Sequence, residues 1–148
     1  MELKGSFDLK EKRENIYKFL LDPNRIAKCL PDLQELKVKD SDNFDAKFKV
    51  GIAHIKGTVS FSFTIAEKIE NQGAKLIGKG SGVGSVIDLT IVFNLEDLPN
   101  DATRVNWKAD LKIGGMLAGI GSRLLSPVTK KNTEQLIKNI KKEIGESS

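Results

Sequence analysis

Residues 33–113 alternate between apolar and polar side chains over most of their length, and this alternation constrains the fold more than any other feature. Successive side chains of a β-strand point to opposite faces of a sheet, so a period of two predicts strands with one wet face and one buried face. Turn-forming residues interrupt the alternation near positions 41–43, 51, 71–73, 82–84 and 99–101. They predict about six strands joined by short loops, which makes neighbouring strands antiparallel.

The first thirty residues predict a strand followed by two short helices. Residues 2–8 have the character of a strand, and Asp8 with Glu11 has the spacing of a capping box at the start of a helix. Asp22 and Pro23 predict the start of a second helix, because aspartate is a favourable N-cap and proline fits the first helical position.

Residues 115–144 carry a helical period, but their apolar positions fall on two faces. One face holds Leu117, Ile120, Leu124 and Val128, and the other holds Leu136, Ile137, Ile140 and Ile144. The two faces differ by roughly 150° around the axis, so one straight helix would not bury both on the same side. We therefore expect a kink or break near Ser126 and Pro127, because proline removes a backbone hydrogen bond and serine can cap a new segment.

This order of elements predicts an α+β helix-grip fold in a single domain, residues 1–148. A curved antiparallel sheet of about seven strands would wrap around the long C-terminal helix, with the two short helices after the first strand. The chain of 148 residues shows no internal repeat or linker, and a chain of this size buries roughly 70% of its unfolded surface around one core.

The composition of the chain argues against several functional classes. The 24 lysines and arginines exceed the 20 acidic residues by only four, and the cations are interleaved with acids, which argues against nucleic-acid binding. Cys29 is the one cysteine, so no internal disulfide or paired metal motif is available. No segment approaches the roughly 20 apolar residues of a membrane span, and the N-terminus has no signal-peptide pattern. We expect a cytoplasmic protein, with peripheral contact at the inner face of the membrane left open.

The inward-facing positions of the strands and of the last helix predict an apolar pocket. Its predicted lining residues are Phe48, Val50, Phe61, Phe63, Leu89, Ile91, Trp107, Met116, Leu117, Ile120 and Leu124. Burial of apolar area stabilises by about 25 cal/mol per Å², so such walls suit a quinone or an isoprenoid chain better than a sugar or nucleotide. The alternation leaves a second interpretation open, in which these side chains fill a core and leave only a small void.

Four glycines are predicted to frame the entrance of this pocket: Gly82, Gly84, Gly115 and Gly119. At Gly82 and Gly84 the missing side chains leave room for a ligand, for close packing of the helix, or for a bend of the strands. At Gly115 and Gly119 they allow either close packing of the helix on the sheet or a mobile or membrane-touching segment at the mouth of the cavity. Glycines also weaken the first turn of the helix by up to ~1 kcal/mol each relative to alanine. That turn is therefore expected to open more easily than its neighbours.

The terminal helix carries a cluster of lysines opposite its apolar stripe: Lys130, Lys131, Lys138, Lys141 and Lys142. Such a face is either simply solvated or binds anionic lipid headgroups or an acidic partner. The sequence does not decide between these roles.

No catalytic or metal-binding set is apparent in the sequence. His54 is the single histidine, and it falls on the polar phase of its strand, where a solvated residue is expected. Cys29 has the character of a small core residue rather than of a nucleophile. We therefore expect no metal, no cofactor and no catalytic residue.

Four segments together resemble the G subunit of carbon monoxide dehydrogenase, a family within the START and polyketide-cyclase-like superfamily. They are residues 19–31, 49–59, 78–82 and 103–125, with the sequences FLLDPNRIAKCLP, KVGIAHIKGTV, GKGSG and TRVNWKADLKIGGMLAGIGSRLL. The resemblance extends over nearly the whole chain. Pro127 departs from the family's pattern, since proline is not expected inside its long helix.

The resemblance implies a non-catalytic accessory protein that binds a hydrophobic ligand, such as a quinone or lipid, beside a molybdenum-containing carbon monoxide dehydrogenase or related hydroxylase. It also implies recruitment to a membrane. Many family members continue into a membrane-seeking tail, and a chain ending at Ser148 is expected to dock transiently. Two other hypotheses stay open, an enzyme of the superfamily (cyclase, dehydratase or hydrolase) and a docking adaptor for a membrane or protein. The oligomeric state is left undetermined.

Overall fold

The structure is a computed structural model that describes residues 1–145. Its strands are β1 (Glu2–Leu9), β2 (Leu33–Val38), β3 (Asn43–Ile52), β4 (Ile55–Ile69), β5 (Gly73–Gly82), β6 (Ser85–Leu98) and β7 (Ala102–Gly115). They form one antiparallel sheet in the order β1-β7-β6-β5-β4-β3-β2. Strands β2 to β7 are therefore a meander of hairpins, and β1 closes the sheet against β7.

The helices are α1 (Arg13–Leu20), α2 (Pro23–Ile26), α3 (Met116–Ile120) and α4 (Ser122–Gly145), with a 3₁₀ turn (Ala27–Cys29) after α2. The long helix α4 contacts β1 at one edge of the sheet, β3 next to the other edge, and the 3₁₀ turn. The curved sheet thus wraps around α4. The predicted α+β fold, with about seven strands and two short helices after the first strand, is confirmed.

The start of α1 differs from the prediction. Asp8 caps no helix, because β1 stays paired with β7 as far as Leu9, and the Asp8 carboxylate instead accepts from the Arg104 Nε at 2.8 Å. Glu11 accepts from the backbone N–H of Lys12 and so holds the chain at the helix start. The second predicted start is confirmed, since Asp22 Oδ1 accepts the N–H of Asn24 at 3.0 Å.

The main core lies where the C-terminal half of α4 meets α1, the 3₁₀ turn and the nearby ends of the strands. Its buried members are Phe7, Leu9, Ile16, Phe19, Cys29, Ile65, Ala74, Phe93, Leu95, Val105, Ile140 and Ile144. Two polar side chains in this region bond to backbone carbonyls: the Thr103 hydroxyl donates to the Glu11 carbonyl at 2.8 Å, and Asn139 Nδ2 donates to the Cys29 carbonyl at 2.9 Å. One end of the molecule is therefore closely packed.

The prediction of a kink or break at Ser126 and Pro127 is wrong as regards a break, because α4 is continuous there. The chain breaks at Gly121, where φ is +87°, and α4 then continues through Pro127. Glycine adopts a positive φ at little cost, whereas the missing N–H of Pro127 removes a single bond to the preceding turn. Ser126 is an exposed residue inside the helix and caps nothing.

The two apolar faces of the sequence are one stripe in the structure. Leu125 is 7% exposed, whereas Leu124 is 51% exposed, so Leu125 and not Leu124 belongs to the buried side with Ile140 and Ile144. Thr129 and Thr133 continue the stripe between them, because their hydroxyls donate to carbonyls one turn back in the helix, at 2.7 and 2.8 Å. Two threonines made the stripe look interrupted.

Candidate ligand-binding site

The seven strand residues predicted to line the pocket share one face of the sheet, the concave face toward α4. Cross-strand pairing places Phe63 between Phe44 and Gly78, and Phe93 between Ala74 and Trp107. Seven predicted lining residues on this face are half-buried: Phe48, Val50, Phe61, Phe63, Leu89, Ile91 and Trp107. Each retains contact with solvent, in contrast to the buried core at the other end of the helix.

Four phenylalanines form a continuous aromatic row across β3 and β4. The rings of Phe61 and Phe63 stack with centroids 5.2 Å apart, Phe63 stacks on Phe44 at 5.0 Å, and Phe48 meets Phe61 edge-on at 5.9 Å. Such pairs gain about 0.5–1.5 kcal/mol beyond the area they bury. The row gives the concave face a rigid aromatic wall.

Two glycines in β5 make room for this row. A Cβ at Gly78 would lie 2.7 Å from the ring of Phe63, and a Cβ at Gly80 would lie 2.7 Å from the ring of Phe61. The space left by the missing side chains is therefore filled by the two rings themselves. The glycines therefore shape the wall by admitting the two rings.

Trp107 supplies a buried polar atom on this face. Its Nε1 is buried, and no residue within 1–145 accepts its N–H. The indole packs over Gly5 of the neighbouring strand, where a Cβ would approach a ring carbon to 3.1 Å. A buried donor without an acceptor costs about 1–3 kcal/mol, so an acceptor on a bound molecule would be favoured there.

The short helix α3 lies at the open end of the concave face and is tied to the β5–β6 turn. The Met116 N–H donates to the Gly84 carbonyl at 3.0 Å, and the Leu117 N–H donates to Ser85 Oγ at 2.8 Å. Leu117 is buried, Ile120 is half-buried and Met116 is mostly exposed. The helix thus holds one apolar side chain inward and presents another to solvent.

The four predicted entrance glycines lie in or beside α3 and the β5–β6 turn, but their surroundings differ. Gly82 and Gly115 have positive φ values and contact backbone, since a Cβ would lie 2.2 Å from the carbonyl oxygens of Thr58 and Gly84 respectively. Gly84, also at positive φ, is covered by the Met116 side chain. Gly119 has open space around it. The first three are required by the turn, and Gly119 alone leaves room.

The five lysines predicted as a membrane or partner surface are all exposed on α4: Lys130, Lys131, Lys138, Lys141 and Lys142. Lys130 and Lys131 lie in the first half of α4, and the other three lysines lie in its last two turns. The last group lies beside the packed core, away from α3.

The electrostatics of the concave face are simple, because the inward strand positions that neighbour the predicted lining residues hold no charged side chain within residues 1–145. His54 lies exposed in the β3–β4 turn. Cys29 is buried in the core, where desolvation, together with the nearby Glu143 carboxylate, raises the pKa of its thiol to about 11. On the outer face, hydrogen bonds from Arg104 lower the pKa of Asp8.

Two depressions lie elsewhere on the surface. One of about 270 Å³ is found between Arg13 and the β4–β5 hairpin, and one of about 400 Å³ is on the outer face, where side chains of β2 to β5 such as Lys47, Ser62 and Lys79 line it. Neither is lined by a residue of α3 or α4.

Three contributors to the site were missed in the sequence. Phe44 could have been found, since it shares the inward phase of Phe48 in the same strand. Leu125 could not be separated from Leu124 without the true start of the helix. Ser85 carries no sequence signal at all, because its role as the acceptor for α3 depends on a contact with residue 117.

Comparison with known proteins places these features in context. A family model described as the G subunit of carbon monoxide dehydrogenase (CoxG) matches residues 5–145. No curated protein matches the sequence. No helix among the described residues is both long and apolar enough to cross a membrane.

Solved structures with similar folds include a conserved protein from Geobacillus kaustophilus, with a TM-score of 0.89 and 27% identity over 99% of this chain and 97% of that one. A START superfamily protein from Mycobacterium smegmatis matches with a TM-score of 0.73 and 11% identity, covering 99% of both chains. A protein from Chromobacterium violaceum gives 0.72 and 15% identity over 97% of each chain. The last two similarities concern the fold alone.

Proposed function

The chain belongs to the CoxG family of carbon monoxide dehydrogenase accessory subunits, and from this premise we propose that it is a non-catalytic accessory protein that binds a hydrophobic small molecule between α4 and the concave face of the sheet. The observation that carries the proposal is the set of seven half-buried apolar side chains on that face. Apolar side chains that remain accessible beside a helix are typical of ligand pockets. The main core, by contrast, is filled.

The ligand class that we propose is a quinone or a related isoprenoid. The row formed by Phe44, Phe48, Phe61 and Phe63 offers flat surfaces for a ring or a prenyl chain. The unpaired Nε1 of Trp107 offers one hydrogen bond to a carbonyl oxygen. Apolar walls with one or two placed polar groups are the usual composition of a site for such molecules.

Uptake would require displacement of α3. The helix has five residues and is flanked by Gly115 and Gly121, whose φ values are +83° and +87°. Positive φ is readily adopted by glycine, so both ends can change conformation at little cost. Two hydrogen bonds to Gly84 and Ser85 hold the closed position. Lids of this kind commonly turn about a few residues at the ends of an element.

The partner that we propose is a molybdenum-containing carbon monoxide dehydrogenase or related hydroxylase, reached from the cytoplasm at the inner face of the membrane. The family description supports association with carbon monoxide dehydrogenase, and the molybdenum enzyme and the location are our proposal. The bound molecule would then be exchanged between that enzyme and its surroundings. Mixing the protein with each candidate enzyme and measuring complex formation tests this part separately from ligand binding.

Ligand binding is tested with two matched probes, menadione and methylnaphthalene, which share a fused ring but differ in the carbonyl oxygens. Calorimetry should show binding of both, with menadione the tighter. Trp107→Phe should lower the affinity for menadione by about five- to tenfold, which is the effect of losing one hydrogen bond of ~1 kcal/mol. The same variant should leave the affinity for methylnaphthalene nearly unchanged, which separates the lost donor from altered packing.

Native mass spectrometry of the protein mixed with a total lipid extract supplies an independent test. A single stoichiometric quinone or isoprenoid retained by the protein supports the proposal. A protein that stays empty against the extract and binds neither probe contradicts it, and then a docking adaptor with a closed core becomes the better hypothesis.

A further inference from the structure

One edge of the sheet is formed by a strand that pairs on one side only. This strand is β2, which is the last in the sheet and bonds to β3. The strand at the other edge, β1, is contacted by α4. The unpaired backbone groups of an edge strand are a template for pairing with a further strand. A strand of another molecule can therefore add along β2.

The hydrogen bonds between β2 and β3 fix which backbone groups point outward. The Lys39 N–H donates to the Asn43 carbonyl at 3.0 Å, and Lys37 lies two residues back in the same register. Hydrogen-bonded and non-bonded residues alternate along an antiparallel strand, so Lys37 and Lys39 direct their backbone groups to β3. The N–H and carbonyl groups of Leu36 and Val38 therefore point to the open edge.

The side chains of β2 carry opposite charges on the two sides of Leu36. Glu35 and Lys37 flank it on the outer face of the sheet, and both are exposed. The Glu35 carboxylate lies 3.3 Å from Lys47 of β3, whereas Lys37 forms no salt bridge with a residue in the range 1–145. An exposed pair such as that of Glu35 and Lys47 contributes little to stability, so the carboxylate can accept a second cation at little cost.

This order of charges makes β2 complementary to a second copy of itself. A two-fold axis through Leu36 would place Glu35 of each copy opposite Lys37 of the other. Residues directly opposite each other have Cβ atoms about 4.5–5.5 Å apart, which is close enough for an ion pair at each position. An axis through Lys37 would instead oppose two lysines, and an axis through Glu35 two glutamates. The charges therefore select Leu36 as the centre.

The inward side chains of β2 agree with this centre. Leu36 is half-buried beside Ala46, and Val38 lies beside Phe44 with 40% of its surface exposed. Around an axis through Leu36, the two Leu36 side chains would meet on the concave side, and their backbone groups would exchange hydrogen bonds. Each Val38 would lie against the second copy and lose exposed apolar surface.

We propose that the chain forms a two-fold dimer by antiparallel pairing of β2 with β2 of a second copy, centred on Leu36. The two seven-stranded sheets would join into one continuous sheet. Both concave faces would lie on the same side, because residues opposite each other share a face. The contact is small, so the dimer should be weak and reversible. The inference is independent of the ligand proposed above, since no predicted lining residue lies in β2.

The test is sedimentation velocity of the full chain from micromolar to millimolar concentration. The natural chain should pass from a mass of 16.3 kDa to twice that mass. Glu35→Lys and Lys37→Glu should each weaken dimerisation at least about tenfold, because each opposes like charges at both ends of the contact. An equimolar mixture of the two variants should regain the affinity of the natural chain, since every contact between unlike chains again joins opposite charges.

The matched control is Glu2→Lys on the opposite edge strand, which removes a similar ion pair, to Lys108 at 3.5 Å. This variant should dimerise like the natural chain. A natural chain that stays monomeric over the whole range overturns the proposal, and so does a mixture that associates no better than its components. A loss in Glu2→Lys as large as that in Glu35→Lys would also overturn it and assign pairing to β1.

Cross-linking tests the register separately. Leu36→Cys places two thiols at the axis, where the Cα atoms of a hydrogen-bonded pair are about 5.5 Å apart and within reach of a disulfide. Oxidation with copper phenanthroline should give a covalent dimer. In Val38→Cys the two thiols are four residues apart along the strands, roughly 13 Å at about 3.4 Å per residue, and should link far more slowly. The buried Cys29 is common to both variants. Linking of Val38→Cys as fast as Leu36→Cys would overturn pairing centred on Leu36.

Discussion

The hydroxyl of Ser85, at the start of β6, accepts the backbone N–H of Leu117 at 2.8 Å and so joins the β5–β6 turn to the first turn of α3. Both residues are buried. The bond links positions 32 apart in sequence and leaves the far end of α3, at Gly119 and Gly121, in open space. The helix is therefore anchored to the β5–β6 turn at its first turn.

Replacement of the anchoring hydroxyl should loosen α3. Ser85→Ala is expected to cost about 0.5–2 kcal/mol, the usual range for loss of a helix-capping oxygen. The amides of Met116–Ile120 should then exchange with deuterium faster, while those of β7 stay protected. Ser81→Ala, at an exposed position of β5, is the control and should change neither quantity. Equal exchange rates in α3 of both variants would show that Ser85 is not the anchor.

The glycines under the aromatic row should be intolerant of a side chain. Gly80→Ala brings a Cβ to 2.7 Å from the Phe61 ring, and overpacking of this kind costs about 1–3 kcal/mol. Urea unfolding measures the effect. Gly51→Ala, where no atom lies within 4 Å, should be close to neutral. In a Phe61→Leu background the cost of Gly80→Ala should shrink, because a smaller side chain can move aside.

Substitutions of two adjacent leucines can check which side of α4 faces the core. Leu125→Ala should lower the free energy of unfolding by about 2–5 kcal/mol, as expected for a buried leucine. Leu124→Ala should cost well under half of that amount, since Leu124 is largely exposed. Comparable costs in urea unfolding would instead support the helix break expected at Pro127.

Cys29 makes stability depend on pH in the alkaline range. Its thiol pKa is about 11 in the native state against 9.0 for an ordinary thiol. Below pH 9 the thiol is protonated in both states, so its contribution to stability is complete. Between pH 9 and 11 the unfolded chain ionises while the native chain does not, and the free energy of unfolding falls as pH rises.

The measurement is a comparison of the natural chain with Cys29→Ala by urea unfolding across this window. The difference in stability between the two should change in the sense that disfavours the natural chain at higher pH. Lysine and tyrosine ionisation is common to both proteins and cancels. A difference that stays constant from pH 9 to pH 11 would mean that the thiol is not desolvated.

Regular alternation made the sheet predictable. Residues such as Phe61 and Phe63 lie inward because the side-chain period of a strand allows no other choice once one face is buried. Asp22 with Pro23 was equally informative, since both act through local backbone geometry. The local signals at Asp8 and Pro127 failed for two different reasons. Asp8 caps no helix because β1 remains paired with β7 as far as Leu9. The chain breaks at Gly121 rather than at Pro127 because Gly121 adopts a positive φ.

The sequence by itself determined the order of elements, the inward set of side chains and the absence of charge from that set, because these follow from periodicity and short-range backbone preferences. Only the tertiary structure decided what the side chains do. It alone showed that the rings of Phe61 and Phe63 fill the space at Gly78 and Gly80, and that Ser85 holds α3. These are long-range contacts, and their energies depend on which surfaces the folded chain brings together.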